Sequence, residues 1–229
     1  MELVRKGVSH MAFSEQTLAF LFENRMHDSR AWYQEHKTQY QQSVAQPCKA
    51  LIQQVQPYLA QIDPQISCTP WCMSRIYRDT RFSKDKSLFR TCFWCTFSRP
   101  RDGREYPAFY FEAGQEGFSY GCGFYHASTV QMQLLRQMIL EQSPSYLAAR
   151  QAMDSQQTFS LYGELYKRNH FPDAPSEQQD WLNRRNMGAS CQSTDFPLLF
   201  SDALPQVLGE GYVQLTPFYR FLLNAAEQA

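Results

Sequence analysis

Between residues 75 and 90 the chain reads RIYRDTRFSKDKSLFR, which sets Arg75, Arg78, Arg81, Lys84, Lys86 and Arg90 against Asp79 and Asp85. Four net positive charges thus fall within sixteen residues of a chain whose 22 basic and 22 acidic residues cancel. Planar guanidinium forks suit bidentate capture of phosphate or carboxylate, and lysines on an adjoining turn add charge and reach. On an extended backbone, alternation carried to Phe82 places Arg75, Tyr77, Asp79 and Arg81 on one face and Ile76, Arg78, Thr80 and Phe82 on the other. An aspartate between two guanidiniums then orients both. The stretch is a candidate anion site, with Arg75, Tyr77, Arg78, Asp79, Arg81, Lys84 and Lys86 as its ligand-binding residues. The competing reading is a structural ion-pair network in which Asp79, Asp85 and acids elsewhere, such as Glu112 or Glu116, neutralise the arginines.

Catalysis has thinner support. Asp79 and Asp85 are the candidate bases or metal ligands. His126, in GFYHAS, lies after an expected strand and before an expected helix, where it is either a functional histidine or a solvated cap. Ser83 has no histidine partner identifiable by position, so nothing supports nucleophilic catalysis. Gly121 and Gly123 permit a close approach of backbone or ligand, but GCG lacks the rest of a nucleotide-binding fingerprint and reads as strand packing or a bulge. Cys68, Cys72, Cys92 and Cys95 form C-x3-C-x19-C-x2-C, near a zinc-ribbon spacing. TCFWCTF reads as a strand, however, and residues three apart on a strand face opposite sides. These are expected to be core cysteines, with no metal, and the sequence specifies no cofactor.

Periodicity defines the elements that carry these residues. FSEQTLAFLFENRMHDS opens on Ser14 as N-cap and brings Leu18, Leu21, Phe22 and Arg25 to helical spacing. Trp32, His36 and Tyr40 stand four apart as a packing face. Leu51, Ile52, Val55, Tyr58 and Leu59 form the stripe of a later helix with Pro47 in its first turn. From about residue 66 the period falls to two, through the basic stretch, TCFWCTFSR, PAFYFEA and GFSYGCGFYH, with Asp-Gly in PRDG and the pair Gly114 and Gly117 as turns. Short connections favour an antiparallel meander, because parallel neighbours need a long crossover. Helix returns in STVQMQLLRQMILEQ and SPSYLAARQAMD, then in pieces around SEQQDWLNRRN, with a strand near GASCQST. The tail PLLFSDALPQVLGEGYVQLTPFYRFLLNAAEQA reads as two helices split by GEGY and Pro217. The expected fold is α+β: a central antiparallel sheet, a meander of about four strands, packed by N-terminal and C-terminal helices. One domain spans residues 1–229, with residues 1–13 poorly ordered.

Composition narrows the function. Hydrophobic residues make up 43% of the chain and aromatics 15%, enough for a sizeable core. Zero net charge argues against non-specific coating of nucleic acid, which needs a broad basic surface. No apolar run approaches the length of a membrane span, so no membrane partner is expected. Seven cysteines and the lack of an apolar leader in MELVRKGVSHMAF point to reduced thiols and the cytoplasm. The best reading is a cytoplasmic protein binding a small anionic, phosphorylated ligand. The alternative is a module for nucleic acid or an acidic protein, with Arg99, Arg101 and Arg104 extending the basic patch and Tyr106, Phe109 and Tyr110 as stacking surfaces. Oligomeric state is not legible.

SRIYRDTRFSKDKS, followed by an aromatic strand, PAFYFEA, the glycines of GCGFYH and a helix containing Arg136, resembles the DUF2461 family of uncharacterised proteins. The resemblance runs from FLFEN and WYQEHKTQY to the C-terminal FYRFLL. Its core pattern, Arg-x-x-Arg-Asp-x-Arg-Phe-Ser-x-Asp-Lys, is matched by Arg75, Arg78, Asp79, Arg81, Phe82, Ser83, Asp85 and Lys86. Where the family tends to Lys-Ser-Pro-Tyr-Lys, this chain has Lys86, Ser87, Leu88, Phe89 and Arg90, so a proline and a tyrosine hydroxyl are lost. The resemblance implies no particular activity.

Overall fold

The computed structural model describes residues 12–100, 102 and 105–229. Residues 1–11 of the leader lie outside them. Phe13, counted with that leader in the sequence reading, is buried, with its ring 4.9 Å from Phe93 and 5.9 Å from Phe111.

Helix α1 (Glu15–His27) follows Ser14, whose N–H donates to the Thr17 hydroxyl at 3.1 Å. Its buried side chains are Thr17, Phe20, Leu21 and Asn24, while Phe22 faces solvent. The run LAFLF offers two apolar faces, and Phe20 wins because Trp32 and Tyr40 lie 5.9 and 5.7 Å from its ring. After α2 (Arg30–Glu35), one helical column runs through α3 (Lys37–Tyr40), a π-helical turn (Gln41–Ala45) and α4 (Gln46–Ile62). Pro47 stands in the first turn of α4, as expected, but helix precedes it. Proline has no N–H to offer the carbonyl four residues back. That carbonyl, Ser43 O, instead accepts from the Thr17 hydroxyl of α1 at 2.6 Å.

The sheet has the order β1-β2-β3-β5-β4 and is antiparallel throughout. Strands β1 (Cys92–Phe97), β2 (Ala108–Gly114) and β3 (Gly117–Gly123) make the expected meander. Helices α5 (Thr129–Leu140) and α6 (Pro144–Asp154) follow, then β4 (Ser160–Tyr162), α7 (Ser176–Leu182) and β5 (Gly188–Ser193). Short α8 (Phe196–Leu199) leads into α9 (Leu204–Gln214) and α10 (Thr216–Gln228). The α+β reading therefore holds, with a fifth strand in β4 that the sequence did not reveal. The expected split at GEGY does not occur, because Gly209 and Gly211 lie inside α9. A Cβ on Gly209 would fall 2.3 Å from the Tyr58 ring, so glycine here sets how closely α9 can approach α4. The break comes instead at Leu215, before Pro217.

Alternation along the strands decides which face is covered. Phe93, Cys95, Phe97, Phe109, Phe111, Phe118, Tyr120 and Cys122 point inward and are buried. Tyr212 and Tyr219 of the last two helices meet Phe109 at 5.1 and 5.0 Å. Each fully buried ring of this kind stabilises by roughly 1.5–3 kcal/mol. Cys95 is thus on the core side and Cys92 on the opposite face, so this pair does not converge on one point. Polar groups lock the same layer at its edge. Asp63, 2% exposed, accepts from Arg99 Nε and the Tyr219 hydroxyl, both at 2.6 Å, and Arg99 also reaches Glu227 at 2.8 Å. Burial alone would raise the Asp63 pKa, but the hydrogen bonds from Tyr219 and Arg99 outweigh it and hold the carboxyl below its ordinary value. Among the described residues no helix is long and apolar enough to cross a membrane.

Two substitutions follow from this packing. Thr17→Val keeps the shape but leaves the Ser43 carbonyl without a donor, and urea unfolding should show a loss of about 1–3 kcal/mol. Asp63→Asn should cost about 3 kcal/mol at neutral pH, because it leaves Arg99 partly unpaired inside the fold. Since the folded-state pKa is depressed, that deficit is full above the unfolded carboxylate value of about 3.9 and fades as pH falls through the folded value. A deficit unchanged in strong acid would contradict the assignment.

Candidate functional site

The basic stretch is not a strand. It leaves the sheet edge as an irregular excursion whose neck is closed by the Tyr77–Phe89 bridge, with Arg78 N–H donating to Leu88 O at 2.8 Å and Arg90 N–H to Ile76 O at 3.1 Å. Inward and outward positions alternate as expected through Thr80, after which the chain turns at Arg81 and Phe82. Phe82, expected to share a face with Ile76, Arg78 and Thr80, is instead 95% exposed at the tip. The cause lies in the side chains. Asp79 accepts from both the backbone N–H and the guanidinium of Arg81, at 3.2 and 2.6 Å, and this bends the segment out of the extended form.

Asp85 organises the base of the loop. One of its oxygens accepts from Ser87 N–H at 2.9 Å and the Ser87 hydroxyl at 2.7 Å. The other takes Arg78 and, from α1, Arg25 at 3.2 Å. Asp28, the left-handed residue that ends α1, accepts from Leu88 N–H at 2.7 Å and Phe89 N–H at 3.3 Å. Lys86 caps Thr80 O at 2.8 Å. Phe89 is buried against Tyr77 at 4.9 Å and Tyr33 at 5.4 Å. The motif therefore ties the excursion to the first helices, and Arg78 and Arg81 are already engaged by carboxylates. Arg75 and Lys84 make no ion pair among the described residues, and Lys86 has only a carbonyl.

These contacts weaken the case for Asp79 and Asp85 as bases. Hydrogen bonds from the Arg81 side chain and backbone pull the Asp79 pKa down to about 2. The Ser87 backbone and hydroxyl, then Arg78, hold Asp85 lower still. A carboxylate so acidic takes up a proton poorly near neutral pH. His126 is exposed against Tyr125 at 4.8 Å, beyond the end of β3. That is the far end of the strands from the loop, about 20 Å away at the usual rise per residue. The structure does not bring the three together.

The concave surface lies elsewhere, on the sheet face that the helices leave open. Cys92, Trp94 and Thr96 of β1, Tyr110 and Glu112 of β2, Ser119, Gly121 and Gly123 of β3, and Tyr162 of β4 all share it. Two clefts cross this face, one of about 380 Å³ lined by Trp94, Tyr110, Tyr125 and Tyr162, the other of about 630 Å³ lined by Cys92, Gly114, Glu116, Gly117 and Gln192. Glu112 and Ser119, paired across β2 and β3, belong to both. Gly123 and Gly188 form the floor under Tyr162, since a Cβ on either would fall within 2.8 Å of its ring or hydroxyl. Arg90 marks the join with the basic loop: its guanidinium lies 4.3 Å from the Trp94 ring centre, and its Nε donates to Arg75 O at 3.0 Å. Burial, with Glu112 adding to it, pushes the Cys92 thiol up to about 11, so it stays protonated and is a poor nucleophile.

Sequence reasoning placed the charge but not this cleft, because its lining comes from strands distant in the chain. The available signal was the small and glycine positions alternating with inward aromatics in β2 and β3. The hairpin patch suggested for nucleic acid loses two members: Arg99 is held by Asp63 and Glu227, and Phe109 is fully buried. Arg101 and Arg104 lie outside the described residues. Asp85→Ala, which unties Arg25 and Arg78 together, should speed tryptic cleavage within residues 81–86 several-fold at an almost unchanged melting temperature. Asp79→Asn, which releases Arg81 alone, should have the smaller effect; the reverse order would refute Asp85 as the anchor.

No curated protein matches the sequence. A family profile described as Conserved hypothetical protein (DUF2461) matches residues 16–221, from α1 to within α10 and through the whole basic motif. That match, which covers most of the chain, places it in the DUF2461 family.

Proposed function

We propose that this chain is a single-domain cytoplasmic protein that binds a small anionic, hydroxyl-bearing ligand, such as a sugar phosphate or nucleotide, across the open face of the sheet. The observation that carries the reading is Arg90. Its guanidinium stacks on Trp94, a ring that lines the aromatic cleft, and has no ion-pair partner among the described residues. A cation left without a carboxylate beside a ring-lined hollow suits a phosphate joined to a flat or cyclic body. Trp94, Tyr110 and Tyr162 offer faces to that body, and Glu112 accepts from its hydroxyls. The cleft of about 380 Å³ falls in the range of small-molecule sites. Arg75, Lys84 and Lys86 raise the local potential and draw anions towards this end of the sheet, whereas Arg78 and Arg81 serve the loop. The seven cysteines, all free thiols, suit a reducing compartment.

Thermal shift against inorganic phosphate, nucleoside monophosphates and sugar phosphates tests this. A ligand at a hundred times its dissociation constant stabilises by about 2.7 kcal/mol, which is several degrees in melting temperature. Arg90→Ala and Trp94→Ala should lose the shift and Arg81→Ala should keep it. The proposal fails if no compound moves the wild type, or if Arg90→Ala responds as the wild type does.

A further inference from the structure

The ligand reading leaves the loop tip unused. Phe82 is 95% exposed, with the Arg81 guanidinium 5.8 Å from its ring, and the hydrogen bonds of Asp79, Asp85 and Lys86 hold the backbone beneath it. Apart from the Arg81 contact the ring buries almost nothing within its own molecule, and aromatic side chains so presented are the usual anchors of protein interfaces. The charges around it identify the partner. Arg75 and Lys84 make no ion pair among the described residues, so the surroundings are cationic. Asp79 and Asp85 are nevertheless interspersed, each about half exposed, which disfavours a continuous polyanion such as a nucleic-acid backbone or an anionic lipid surface.

A complementary surface exists on the same chain. The cleft of about 630 Å³ is lined by Gly114, Gly117, Phe118 and two carboxylates, Glu112 and Glu116, that form no ion pair among the described residues. Its volume accommodates a phenyl ring, and its acids oppose the loop's cations. The loop cannot fill its own cleft: Arg25 and Asp28 bind it to α1, on the helical side of the sheet, and Phe82 is almost wholly solvated. We infer that two copies of this chain associate, each inserting Phe82 into the other's Glu112–Glu116 cleft with Lys84 set against Glu116. Exchange about a twofold axis uses both loops and both clefts and closes the assembly. The two clefts share Glu112 and Ser119, but the contact is carried by Phe82 and Glu116, neither of which the ligand reading uses, so the two readings can fail separately.

Sedimentation velocity over a concentration series tests the contact. The wild type should sediment as a dimer that dissociates on dilution and at high salt. Phe82→Ala should be monomeric throughout. Lys84→Glu and Glu116→Lys should each weaken the dimer about tenfold or more, and the double charge reversal should restore most of the loss, a rescue that general destabilisation cannot produce. A wild type that stays monomeric at every concentration, a dimer that survives Phe82→Ala, or a double variant no tighter than the single ones would overturn the inference.

Discussion

Everything in this molecule depends on a sheet that is packed on one face only. Strands β1 to β3 direct their phenylalanines and cysteines inward, where Tyr212 and Tyr219 complete the layer. Apart from Trp94 and Tyr110, their outward positions are small, polar or glycine, so covering them would remove less apolar surface from water than the inward face offers. The helices collect where burial is favourable and leave the other side concave and solvated. Tyr212 donates its hydroxyl to the Tyr110 carbonyl at 3.0 Å, so even the backbone of the open face is steadied from beneath.

The arginine–carboxylate pairs show how one chemistry takes different roles with burial. Asp63 and Arg99 are nearly sealed, and with Tyr219 and Glu227 they join α4, the end of β1 and α10. Desolvation makes that group costly to disrupt. Asp79 and Arg81 are exposed, and solvent screens their attraction, so their pairing shapes a turn and adds little stability. Asp85 lies between these cases. It gathers Arg78, Ser87 and Arg25 at a half-exposed site and converts a surplus of like charge into a defined loop. The concentration of bases in residues 75–90 therefore has two outcomes, bracing for Arg78 and Arg81, and charge with no ion pair among the described residues for Arg75, Lys84 and Arg90.

The parts of the fold that periodicity controls were legible. Helices α5 and α6 and the β1–β3 meander followed from apolar spacing and turn glycines, because for these elements local preference and tertiary burial agree. Where the two diverge, the reading failed. Phe22 fits a helical stripe as well as Phe20 does, and only the positions of Trp32 and Tyr40 select between them. Gly209 and Gly211 look like a helix break, yet the rings of Tyr58 and Tyr120 need their missing side chains inside α9. Residues 75–82 alternate like a strand in sequence, but beyond the Tyr77–Phe89 bridge the segment completes no ladder and follows its side-chain hydrogen bonds instead.

The sequence by itself determined the fold class, the run of charge and the family motif, since each is a property of neighbouring residues or of a short repeat. Tertiary structure alone decided which charges are cancelled and where a hollow opens. Asp85 meets Arg25 across sixty positions, and the open face gathers Trp94, Glu112, Ser119 and Tyr162 from four strands. Coulomb attraction and burial act through space, and the chain's local pattern does not specify which distant groups will share that space.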